Sequence, residues 1–474
     1  MHRPFHSVPA LHAAANIMSR PERIRLWSMR VPELSWWGWL LYGGAGISAS
    51  VWLWIVMWRA RQFRMADDHR LDAPTSLPNE AAHDNAGAAP SSSLAPPPCS
   101  VGKSVSDQPP DDQLPYVVII CPGRNEADHI GMTLPEMCRQ DYPNYHVIFV
   151  DDESDDATPA LTADLAGRFD NLTIIRNDTP PPAGWVGKCW AVNRGYDVLH
   201  DMLRTPDDAP FRTPDLALFT DADMHWHPLC LRMAVNEMRH RDVDVMSLFP
   251  SMTMGTTGER LVLSTLFVAL CVLFPFEKVV DPKHPDTLVA GAFILVRREL
   301  YDRIGGHEAV ANCVVEDVNL GRALKAAGGR VGIAATQTLL HGRMYEGWSD
   351  LWEGLTKNAY AGMEYRLLNA VGFVSLVLIA NVLTPVYAIV SILWWLAVGG
   401  LAPLVPAGLS VLALLCQARG MNRARLQLQL PFRYTWSTPI GSALYMAIGI
   451  ASVVRYYRGG NVWKGRSYGQ EMAG

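Results

Sequence analysis

The stretch Leu216-Ala-Leu-Phe-Thr-Asp-Ala-Asp-Met224 is an apolar run that ends in two carboxylates one residue apart. Such a run predicts a buried β-strand, so Asp221 and Asp223 are expected at the strand's carboxyl end. Ligands of open α/β sheets bind at that edge. Two aspartates there suit a hard divalent cation, Mg²⁺ or Mn²⁺. The alternative is a pair of turn or capping residues, because Asp-x-Asp is common by chance.

The residues around this stretch predict an α/β domain over residues 115–347. Short, almost wholly apolar segments alternate there with segments of helical pattern, such as residues 130–139. This alternation is typical of a mostly parallel sheet that helices cover on both faces. The predicted strands are residues 116–120, 146–150, 171–175 and 215–220.

The composition of the 474-residue chain indicates membrane contact over part of its length. Hydrophobic residues make up 49% and charged residues 18%, with 16 tryptophans, which is apolar for a soluble enzyme. The net charge of −5, without a basic patch carrying interleaved aromatics, gives no support to nucleic acid as a partner. The eight cysteines form no Cys-x-x-Cys pair, so we expect reduced thiols in a cytosolic compartment rather than a disulfide framework or a zinc site.

An apolar segment at residues 36–58 follows a polar, arginine-containing segment at residues 1–35. Because about 20 apolar residues cross a bilayer, and the segment begins too late for a secretory signal, we predict an uncleaved transmembrane helix. The alternative is a buried helix of a soluble protein. Residues 66–114, rich in Ala, Pro, Ser and Asp, are predicted to be a disordered linker. Tryptophans typical of membrane interfaces lie at both ends of the apolar segment: Trp36, Trp37, Trp39, Trp54 and Trp58.

The chain becomes apolar again after the α/β domain. We predict interfacial helices at 348–368, membrane helices at 369–456 and a basic tail at 457–474. A shorter apolar segment inside the α/β domain, 261–276, is predicted to be an interfacial or core helix. The candidate spans after the domain are residues 371–398 with a kink at Pro385, and the shorter segments 401–415 and 438–454.

Basic residues between the last two segments are assigned to the cytosol by the positive-inside rule. If all three segments crossed the membrane, the basic tail would end outside, so one short segment is predicted to be re-entrant or interfacial. The arginines on which this depends are Arg419, Arg423, Arg425 and Arg433.

Four polar clusters lie where predicted strands end or a helix begins. Each has a structural alternative: Asn125 or Ser154 caps a helix, Asp151 is a turn residue, and acidic residues favour the first turn of a helix. Four acidic clusters at one sheet edge repel each other unless they share a cation, and a metal-bound diphosphate supplies one. The clusters are Cys121-Pro-Gly-Arg-Asn-Glu126, Asp151-Asp-Glu-Ser-Asp-Asp156, Asp221-Ala-Asp223 and Glu316-Asp317.

The order of these motifs resembles the inverting family 2 glycosyltransferases of GT-A fold. The resemblance covers about residues 116–345 and includes Gly291-x-x-x-x-x-Arg297-Arg298 between the last two clusters. It implies a Rossmann-like GT-A catalytic domain between the N-terminal anchor and the C-terminal membrane helices. Three more stretches resemble the bacterial hopene-associated glycosyltransferases, while ceramide and carotenoid glucosyltransferases share the broader pattern. The stretches are Gly184-Trp-Val-Gly-Lys-Cys-Trp-Ala191, Phe274-Pro-Phe-Glu-Lys-Val-Val-Asp-Pro282 and Trp463-Lys-Gly-Arg-Ser-Tyr468.

The resemblance implies a nucleotide-sugar donor, with a uridine diphosphate sugar expected. Lys188, in a Gly-rich loop, would meet the diphosphate as a point charge, and the alternative is a solvated lysine. Asp221 and Asp223 would hold Mg²⁺ or Mn²⁺, which stabilises the departing diphosphate as a Lewis acid. The implied donor-binding residues are Pro122, Asn125, Glu126, Asp151, Asp152, Lys188, Asp221, Lys464 and Arg466.

The resemblance also implies a general base, for which Asp317 is the first candidate. It would deprotonate an acceptor hydroxyl that attacks the anomeric carbon opposite the leaving group, and the configuration inverts. Glu316 is the alternative base or a residue that orients the acceptor. Gly291 and Trp463 are expected on the acceptor side, since glycine lets the backbone approach a substrate closely.

Two features depart from the family pattern. Many members carry Gln-x-x-Arg-Trp after the base, whereas the nearest region here reads Lys357-Asn-Ala-Tyr-Ala-Gly-Met363. Lys464 and Arg466 would then contact the diphosphate instead, and the alternative is a basic, aromatic anchor at the membrane surface. His225, His227 and His341 lie near the predicted strand ends; loop packing is the simpler role for His225 or His227, and His341 is a candidate additional metal ligand.

The sequence therefore predicts a multi-pass protein of the bacterial cytoplasmic membrane with its catalytic domain in the cytosol. Its partners would be a nucleotide sugar and a lipid acceptor, expected to be a hopanoid-type lipid. The alternatives are a ceramide- or carotenoid-type lipid glucosyltransferase, a processive polysaccharide synthase, and a catalytically silent membrane protein that binds nucleotide sugar or lipid.

Overall fold

The computed structural model describes residues 36–68, 70–73, 111–204, 213–458, 461–463 and 466–468. The predicted N-terminal segment 1–35 and most of the predicted linker 66–114 lie outside the described residues. In the 457–474 tail the side chains from residue 459 onward are outside them, and Lys464 lies outside them altogether.

A seven-stranded mixed sheet forms the centre of the α/β domain, in the order β3-β2-β1-β4-β8-β6-β9. The four predicted strands are confirmed as β1 to β4, and all three neighbour pairs among them are parallel. The stretch between Gly291 and Arg298 contains β8, which runs antiparallel to β4 and β6. The strands are β1 (Val117–Gly123), β2 (Tyr145–Asp152), β3 (Leu172–Asn177), β4 (Leu216–Thr220), β5 (His225–Trp226), β6 (Val245–Phe249), β7 (Ser251–Met252), β8 (Phe293–Arg297), β9 (Val331–Ala335) and β10 (Leu340–Gly342).

The position of β1 determines where a ligand binds. The chain continues from β1 to β2 on one side, and β4 pairs with β1 on the other, so the strand order reverses at β1. Such a switch point opens a crevice at the carboxyl ends of the strands. The register places Gly123 opposite Asp151 at this edge, and Phe219 opposite Ile120 just below it.

Helices cover both faces of the sheet and continue into an apolar C-terminal part. Alternate residues of β1 enter different cores: Val117 and Ile119 pack on one face, and Val118 and Ile120 on the other. The helices are α1 (Trp36–Asp68), α2 (Ile130–Cys138), α3 (Thr158–Ala166), α4 (Gly187–Arg204), α5 (Cys230–His240), α6 (Thr257–Leu273), α7 (Phe276–Val280), α8 (Arg298–Arg303), α9 (Glu316–Ala326), α10 (Gly347–Gly362), α11 (Leu367–Val377), α12 (Thr384–Val398), α13 (Leu404–Gln427) and α14 (Thr438–Tyr457). The seven cysteines among the described residues are free thiols.

In the part of the chain that the structure describes, three helices are long and apolar enough to cross a membrane: Gly38–Met57 within α1, α13 and α14. A fourth candidate is the bent pair of Gly347–Gly362 and Leu367–Val382, whose two parts meet at 116°. Helix α13 continues to Gln427, well past the predicted end at residue 415, so Arg419, Arg423 and Arg425 lie on its last turns. Helix α6 contains residues 261–273 of the predicted segment 261–276, and the rest of that segment leads into α7. Helix α6 packs through Val262 and Leu263 against α10 and α14.

The predicted kink near Pro385 coincides with a break between α11 and α12. A single π-helical turn, Leu378–Val382, precedes Thr384 there. Side chains from two other helices satisfy the freed backbone carbonyl of Ala380, since Ser48 Oγ and Gln417 Nε2 both donate to it at 2.9 Å. Polar side chains that resatisfy the backbone in this way are how membrane helices tolerate such breaks.

The start of the predicted linker departs from the prediction of disorder. Residues 70–73 lie against the edge of the sheet, where the Leu71 N–H donates to the Ala335 carbonyl at 2.8 Å. Asp72 accepts a hydrogen bond from the Gln337 N–H at 2.7 Å, and Arg70 donates to the Gln337 side chain. The end of α1 is thereby attached to the α/β domain.

Candidate active site

Lys188 is the central cation of the carboxyl-end crevice. Its Nζ lies 2.6 Å from Asp221 Oδ1, after β4, and 2.8 Å from Glu316 Oε1, on the first turn of α9. Burial alone would lower the pKa of the ammonium, but the two carboxylates outweigh burial and hold that pKa well above its usual value. The sequence predicted Lys188 in a Gly-rich loop, whereas the structure has it on the first turn of α4. Its ammonium is paired with two carboxylates, and 32% of the side chain is exposed.

Asp317 lies beside this ion network and faces a small cavity. Its Oδ2 accepts a hydrogen bond of 3.1 Å from the Gly291 N–H. Burial, and then the Glu316 carboxylate, raise the pKa of Asp317 to about 6. A Cβ atom at position 291 would stand 3.2 Å from Lys188 Nζ and 3.5 Å from Asp317 Oδ2, so the backbone at Gly291 lies directly against both charged groups.

Asp223 is a carboxylate without an ion-pair partner in the described part of the chain. Burial raises its pKa to about 7, and the negative charges of Asp221 and Glu126 add to the effect. Three carboxylates that repel each other in this way fit a bound divalent cation. No group of three or more His, Cys, Asp or Glu side chains among the described residues forms a preformed metal site, so Asp221 and Asp223 would hold an ion together with ligands from another molecule.

The carboxyl end of β2 forms a second polar pocket. Asp151 is 1% exposed; its Oδ1 accepts the Ser154 N–H at 3.1 Å, while Oδ2 has no hydrogen-bond partner among the described residues. Arg176 Nη1 lies 3.8 Å from Oδ2. Asp152 accepts a hydrogen bond of 3.2 Å from Asn177 Nδ2. A buried acceptor with a free lone pair fits the N–H of a ligand.

Hydrogen bonds join the loop after β1 to the loop after β2, and they involve residues that were predicted to bind the nucleotide-sugar donor. Asn125, at φ 55°, accepts the Asp155 N–H on Oδ1 at 3.0 Å and donates its own N–H to Ser154 Oγ at 2.9 Å. The Glu126 N–H donates to Thr158 Oγ1 at 2.8 Å. Pro122 lies on β1, paired with Val150 of β2. Asn125 thus has a positioning role in the protein itself.

The three histidines lie in or next to a small sheet of β5, β10 and β7. His225 Nδ1 lies 3.2 Å from Glu136 Oε2, and its ring stacks on that of His341 with 5.0 Å between centroids. His227 Nδ1 accepts the Leu229 N–H at 3.1 Å, which is a loop-packing contact.

The tail contains a short hairpin, Asn461–Trp463 paired with Arg466–Tyr468. The Asn461–Trp463 strand lies next to α10 and α14. The positions of the Trp463 and Arg466 side chains are outside the described residues, so their predicted contacts with acceptor and diphosphate stay predictions.

Two residues that were not predicted from the sequence also bear on the site, one by lining it and one by its charge. His307 lines the same cavity as Lys188 and Asp317. Lys357, on α10, is close enough to contribute to the lowered pKa of Glu316. The feature of the sequence that could have drawn attention to His307 is the glycine pair that precedes it. Gly305 and Gly306 both have positive φ, at 79° and 63°, which glycine adopts readily.

Known proteins similar to this chain are glycosyltransferases. Over 130 residues the chain is 30% identical to the beta-monoglucosyldiacylglycerol synthases of Trichormus variabilis and of a Nostoc species. This match covers 27% of this chain and 26% of each relative, so the chain spans about a quarter of the length of these relatives. Among solved structures, the mannosyltransferase PcManGT from Pyrobaculum calidifontis, in complex with GDP-Man and Mn²⁺, is similar at 17% identity and a TM-score of 0.45, over 88% of this chain and 99% of that one.

Residues 113–343 match the family described as glycosyltransferase like family 2. These residues include the whole seven-stranded sheet, the Lys188 network and Asp317. They therefore form a family 2 glycosyltransferase domain.

Proposed function

We propose that the chain is a membrane-bound, inverting glycosyltransferase that uses Mg²⁺ or Mn²⁺. It moves a sugar from a nucleotide sugar, with a uridine diphosphate sugar as the expected donor, to a hydroxyl of a membrane lipid. The observation that carries this proposal is Asp317, a carboxylate whose pKa of about 6 lies close to neutral pH, in the crevice that also holds Lys188 and Asp221. A general base is most effective when its pKa lies near the working pH.

In the proposed reaction Asp317 takes the proton of the acceptor hydroxyl. The hydroxyl oxygen forms a bond to the anomeric carbon while the bond from that carbon to the diphosphate oxygen breaks, so the nucleoside diphosphate leaves with the electron pair. Lys188 lies between Asp221 and Glu316, where its positive charge can also face a diphosphate oxygen. Asp221 and Asp223 would hold the metal ion, which when bound stabilises the negative charge of the leaving group.

The donor's base and ribose are assigned to the pocket at the end of β2. Asp151 Oδ2 is buried and without a hydrogen-bond partner in the described residues, which suits the imide N–H of uracil. Asp152, the next residue, suits the ribose hydroxyls. These contacts motivate the choice of a uridine nucleotide.

The acceptor is assigned to the side of the crevice that faces the apolar C-terminal helices. A turn with two left-handed residues, Glu364 (φ 58°) and Tyr365 (φ 53°), joins α10 to α11. The Tyr360 hydroxyl holds this turn by donating to the Tyr365 carbonyl at 2.8 Å, and Tyr365 stacks on Tyr456. Tyr365 lies close enough to Cys313 for the two side chains to interact electrostatically. Cys313 is three residues before Glu316.

Exposed apolar side chains begin directly after this turn. Leu367 and Leu368 are 52% and 82% exposed, and an exposed pair at the start of an apolar helix suits contact with lipid. In the proposed arrangement the aromatic turn would lie between the bilayer and the carboxylates. A lipid is the acceptor that such a position favours.

Within the lipids we propose a hopanoid-type acceptor, on the resemblance of stretches 184–191, 274–282 and 463–468. The relatives named beta-monoglucosyldiacylglycerol synthase support a lipid as the acceptor, but not a hopanoid in particular. Ceramide- and carotenoid-type lipids are the alternatives that the experiment below separates.

The proposed location is the cytoplasmic membrane of a bacterium, with the catalytic domain in the cytosol. The carboxyl ends of α1 and α13 both contact the α/β domain, through residues 70–73 and through a hydrogen bond from Gln337 Nε2 to the Gln427 carbonyl at 3.3 Å. Basic residues lie on the last turns of α13, and the positive-inside rule assigns them to the cytosol.

The test uses membranes that contain the wild-type chain, Asp317→Asn or Asp164→Asn. Asp164 is an exposed residue of α3 and serves as the matched control. Each membrane receives Mn²⁺, one donor and one acceptor lipid. The donors are UDP-glucose, UDP-galactose and GDP-mannose, and the lipids are of hopanoid, ceramide, carotenoid or diacylglycerol type. We expect wild type and Asp164→Asn to release nucleoside diphosphate and to yield a glycolipid in the mass spectrum, and Asp317→Asn to yield neither.

Release without a glycolipid but with a long water-soluble polymer would instead identify a polysaccharide synthase. Binding of donor without release, for every lipid, would identify a silent binding protein.

A further inference from the structure

His307 is held in one tautomer by a buried tyrosine. The His307 backbone N–H donates to the Tyr301 hydroxyl at 3.0 Å, and that hydroxyl lies 2.6 Å from His307 Nδ1. Among the described residues, Nδ1 is the only acceptor within reach of the Tyr301 hydroxyl proton, so this buried hydroxyl donates to Nδ1. Nδ1 is therefore the acceptor, and the proton of the neutral ring is on Nε2.

The protein is built to keep this arrangement. Tyr301 is fully buried and packs against Phe219 and Tyr196, with ring centroids 4.7 and 4.6 Å away. The left-handed Gly305 and Gly306 return the chain so that His307 meets Tyr301. A Cβ on Gly306 would lie 3.1 Å from the Tyr301 ring, so the tight turn requires glycine.

His307 stays neutral at physiological pH. Its side chain is buried, and burial lowers its pKa to about 3, with a further contribution from the Lys188 ammonium. A neutral ring that is locked as the Nε2–H tautomer is a fixed hydrogen-bond donor. It does not exchange protons with the acceptor or with the donor sugar.

The ring borders a small cavity at the base of the active site. Its polar lining comes from Lys188, Thr220, Gly291, His307, Glu316 and Asp317, and apolar side chains complete it. Thr220 Oγ1 already donates to the Ala292 carbonyl at 2.8 Å, and the Lys188 ammonium lies between two carboxylates. The cavity has room for about one water molecule, and its polar walls provide the two to four partners that a buried water needs.

We propose that His307 is a positioning residue for the general base: its Nε2–H donates to one water molecule in this cavity, and that water donates to the Asp317 carboxylate. The role of Asp317 as base rests on the proposed function, whereas the hydrogen-bonded link does not. Together with the Gly291 N–H, the link fixes the carboxylate and favours its ionised form, since hydrogen bonds to the charged state stabilise it.

The charged groups that face Asp317 are Glu316 on its own helix and Lys188 on α4, with Asp221 behind Lys188. None of them changes when His307 is replaced. A change in the titration of Asp317 in a His307 variant therefore reports the loss of the donor itself.

The experiment measures the titration of Asp317 in the full-length protein without any substrate. Infrared difference spectra against pH identify the Asp317 carboxyl band as the one that Asp317→Asn removes. We expect His307→Phe, which lacks the donor, to raise the Asp317 pKa by about one unit. His307→Gln, whose side-chain amide keeps an N–H near the same place, should retain the wild-type titration.

His146→Phe is the matched control. His146 is also a buried histidine, but it contacts Thr173 on β3, away from the cavity. It should lower the melting temperature and leave the Asp317 band where it is. An Asp317 pKa in His307→Phe equal to that of the wild type would overturn the proposal.

A second measurement does not depend on the folding of any variant. Nitrogen-15 spectra of histidine-labelled wild-type protein should show one ring with a protonated Nε2 and an unprotonated Nδ1 from pH 5 to 8. The opposite tautomer at His307 would also overturn the proposal. An absence of glycosyl transfer by wild type would refute the proposed function and leave both of these readouts unchanged.

Discussion

Lys188 Nζ lies 2.8 Å from Glu316 Oε1 and joins the first turn of α4 to the first turn of α9. Burial alone would raise the pKa of Glu316, but the adjacent ammonium brings it below its usual value. Asp317 is the next residue, and its pKa is raised. The environment thus shifts the pKa values of two neighbouring carboxyl groups in opposite directions. Glu316 is therefore the permanent counter-ion, and Asp317 is the group that can exchange a proton near neutral pH.

The Lys188–Glu316 ion pair should contribute measurably to stability. We expect the unfolding free energies of Lys188→Met, Glu316→Gln and the double variant to be non-additive by about 1–2 kcal/mol. Lys188→Met leaves the Glu316 carboxylate without its cation, and Glu316→Gln leaves Lys188 with Asp221 alone. Denaturant unfolding in detergent measures this coupling. The exposed Arg168–Asp164 pair of α3 is the reference and should couple by about 0.3–0.5 kcal/mol. Equal coupling for both pairs would contradict the role given to Lys188.

The rate of glycosyl transfer should follow the ionisation of Asp317. Its folded pKa of about 6 is above the ordinary value, so the base is protonated and inactive below pH 6 and becomes active as the pH rises. We therefore expect kcat to increase about tenfold per pH unit below pH 6 and to level off above it. Asp317→Asn should lose about 10²–10⁴ of the rate at pH 7.5. If the residual activity of Asp317→Asn still rises with pH below pH 6, the pH dependence belongs to a group other than Asp317.

The parts of the fold that were predictable from sequence are those set by local pattern. Strands β1 to β4 lie within three residues of their predicted ends, because short apolar runs bounded by polar motifs leave one way to bury them. The apolar segment predicted at 36–58 is helical for the same reason, and its part Gly38–Met57 is long and apolar enough to cross a membrane. The antiparallel direction of β8 is not local, since nothing within its five residues specifies which neighbour it meets.

The candidate site shows the same division. The carboxylates could be placed at strand ends because their spacing from apolar runs is visible in the sequence. The contact of Lys188 with Asp221 and Glu316 depends on how α4 and α9 pack on the sheet, and its partners are 33 and 128 positions away in the numbering. The length of helix α13 also depends on contacts outside the local pattern. Arg425 Nε donates hydrogen bonds to Asn422 and Thr435, so the helix continues beyond the apolar segment that predicted it.

Removal of divalent cations should abolish transfer if Asp221 and Asp223 hold an ion. The Asp223 carboxylate is buried beside Asp221 and Glu126, and a dication would relieve this repulsion. We expect chelation to stop glycolipid formation and Mn²⁺ or Mg²⁺ to restore it. Asp223→Asn should lower the rate by at least about 100-fold at saturating metal, which corresponds to the several kcal/mol that a Lewis acid supplies. Full activity in chelator would refute the metal role, and unchanged activity in Asp223→Asn would remove Asp223 from it.

Glu259 should be a main determinant of stability, although it takes no part in the chemistry. It is 0% exposed, and its carboxylate accepts hydrogen bonds from the Gly255 N–H at 2.7 Å, the Gly347 N–H at 2.9 Å and Arg343 Nη2 at 3.0 Å. These contacts join the start of α6 to the start of α10. We expect Glu259→Ala to lower the unfolding free energy by about 3–5 kcal/mol, because it leaves Arg343 without its buried partner.

Glu346 provides the control, since it lies 4.0 Å from the same arginine but is 59% exposed. Glu346→Ala should change the unfolding free energy by less than about 1 kcal/mol. Burial would raise the pKa of Glu259, but Arg343 and the other donors lower it to about 2. Its contribution is therefore complete above about pH 4.5, where the unfolded chain is also ionised, and is lost as the pH falls towards 2. Melting temperatures recorded from pH 6 to pH 3 should fall more steeply for wild type than for Glu259→Gln, and parallel curves would show that Glu259 does not carry this dependence.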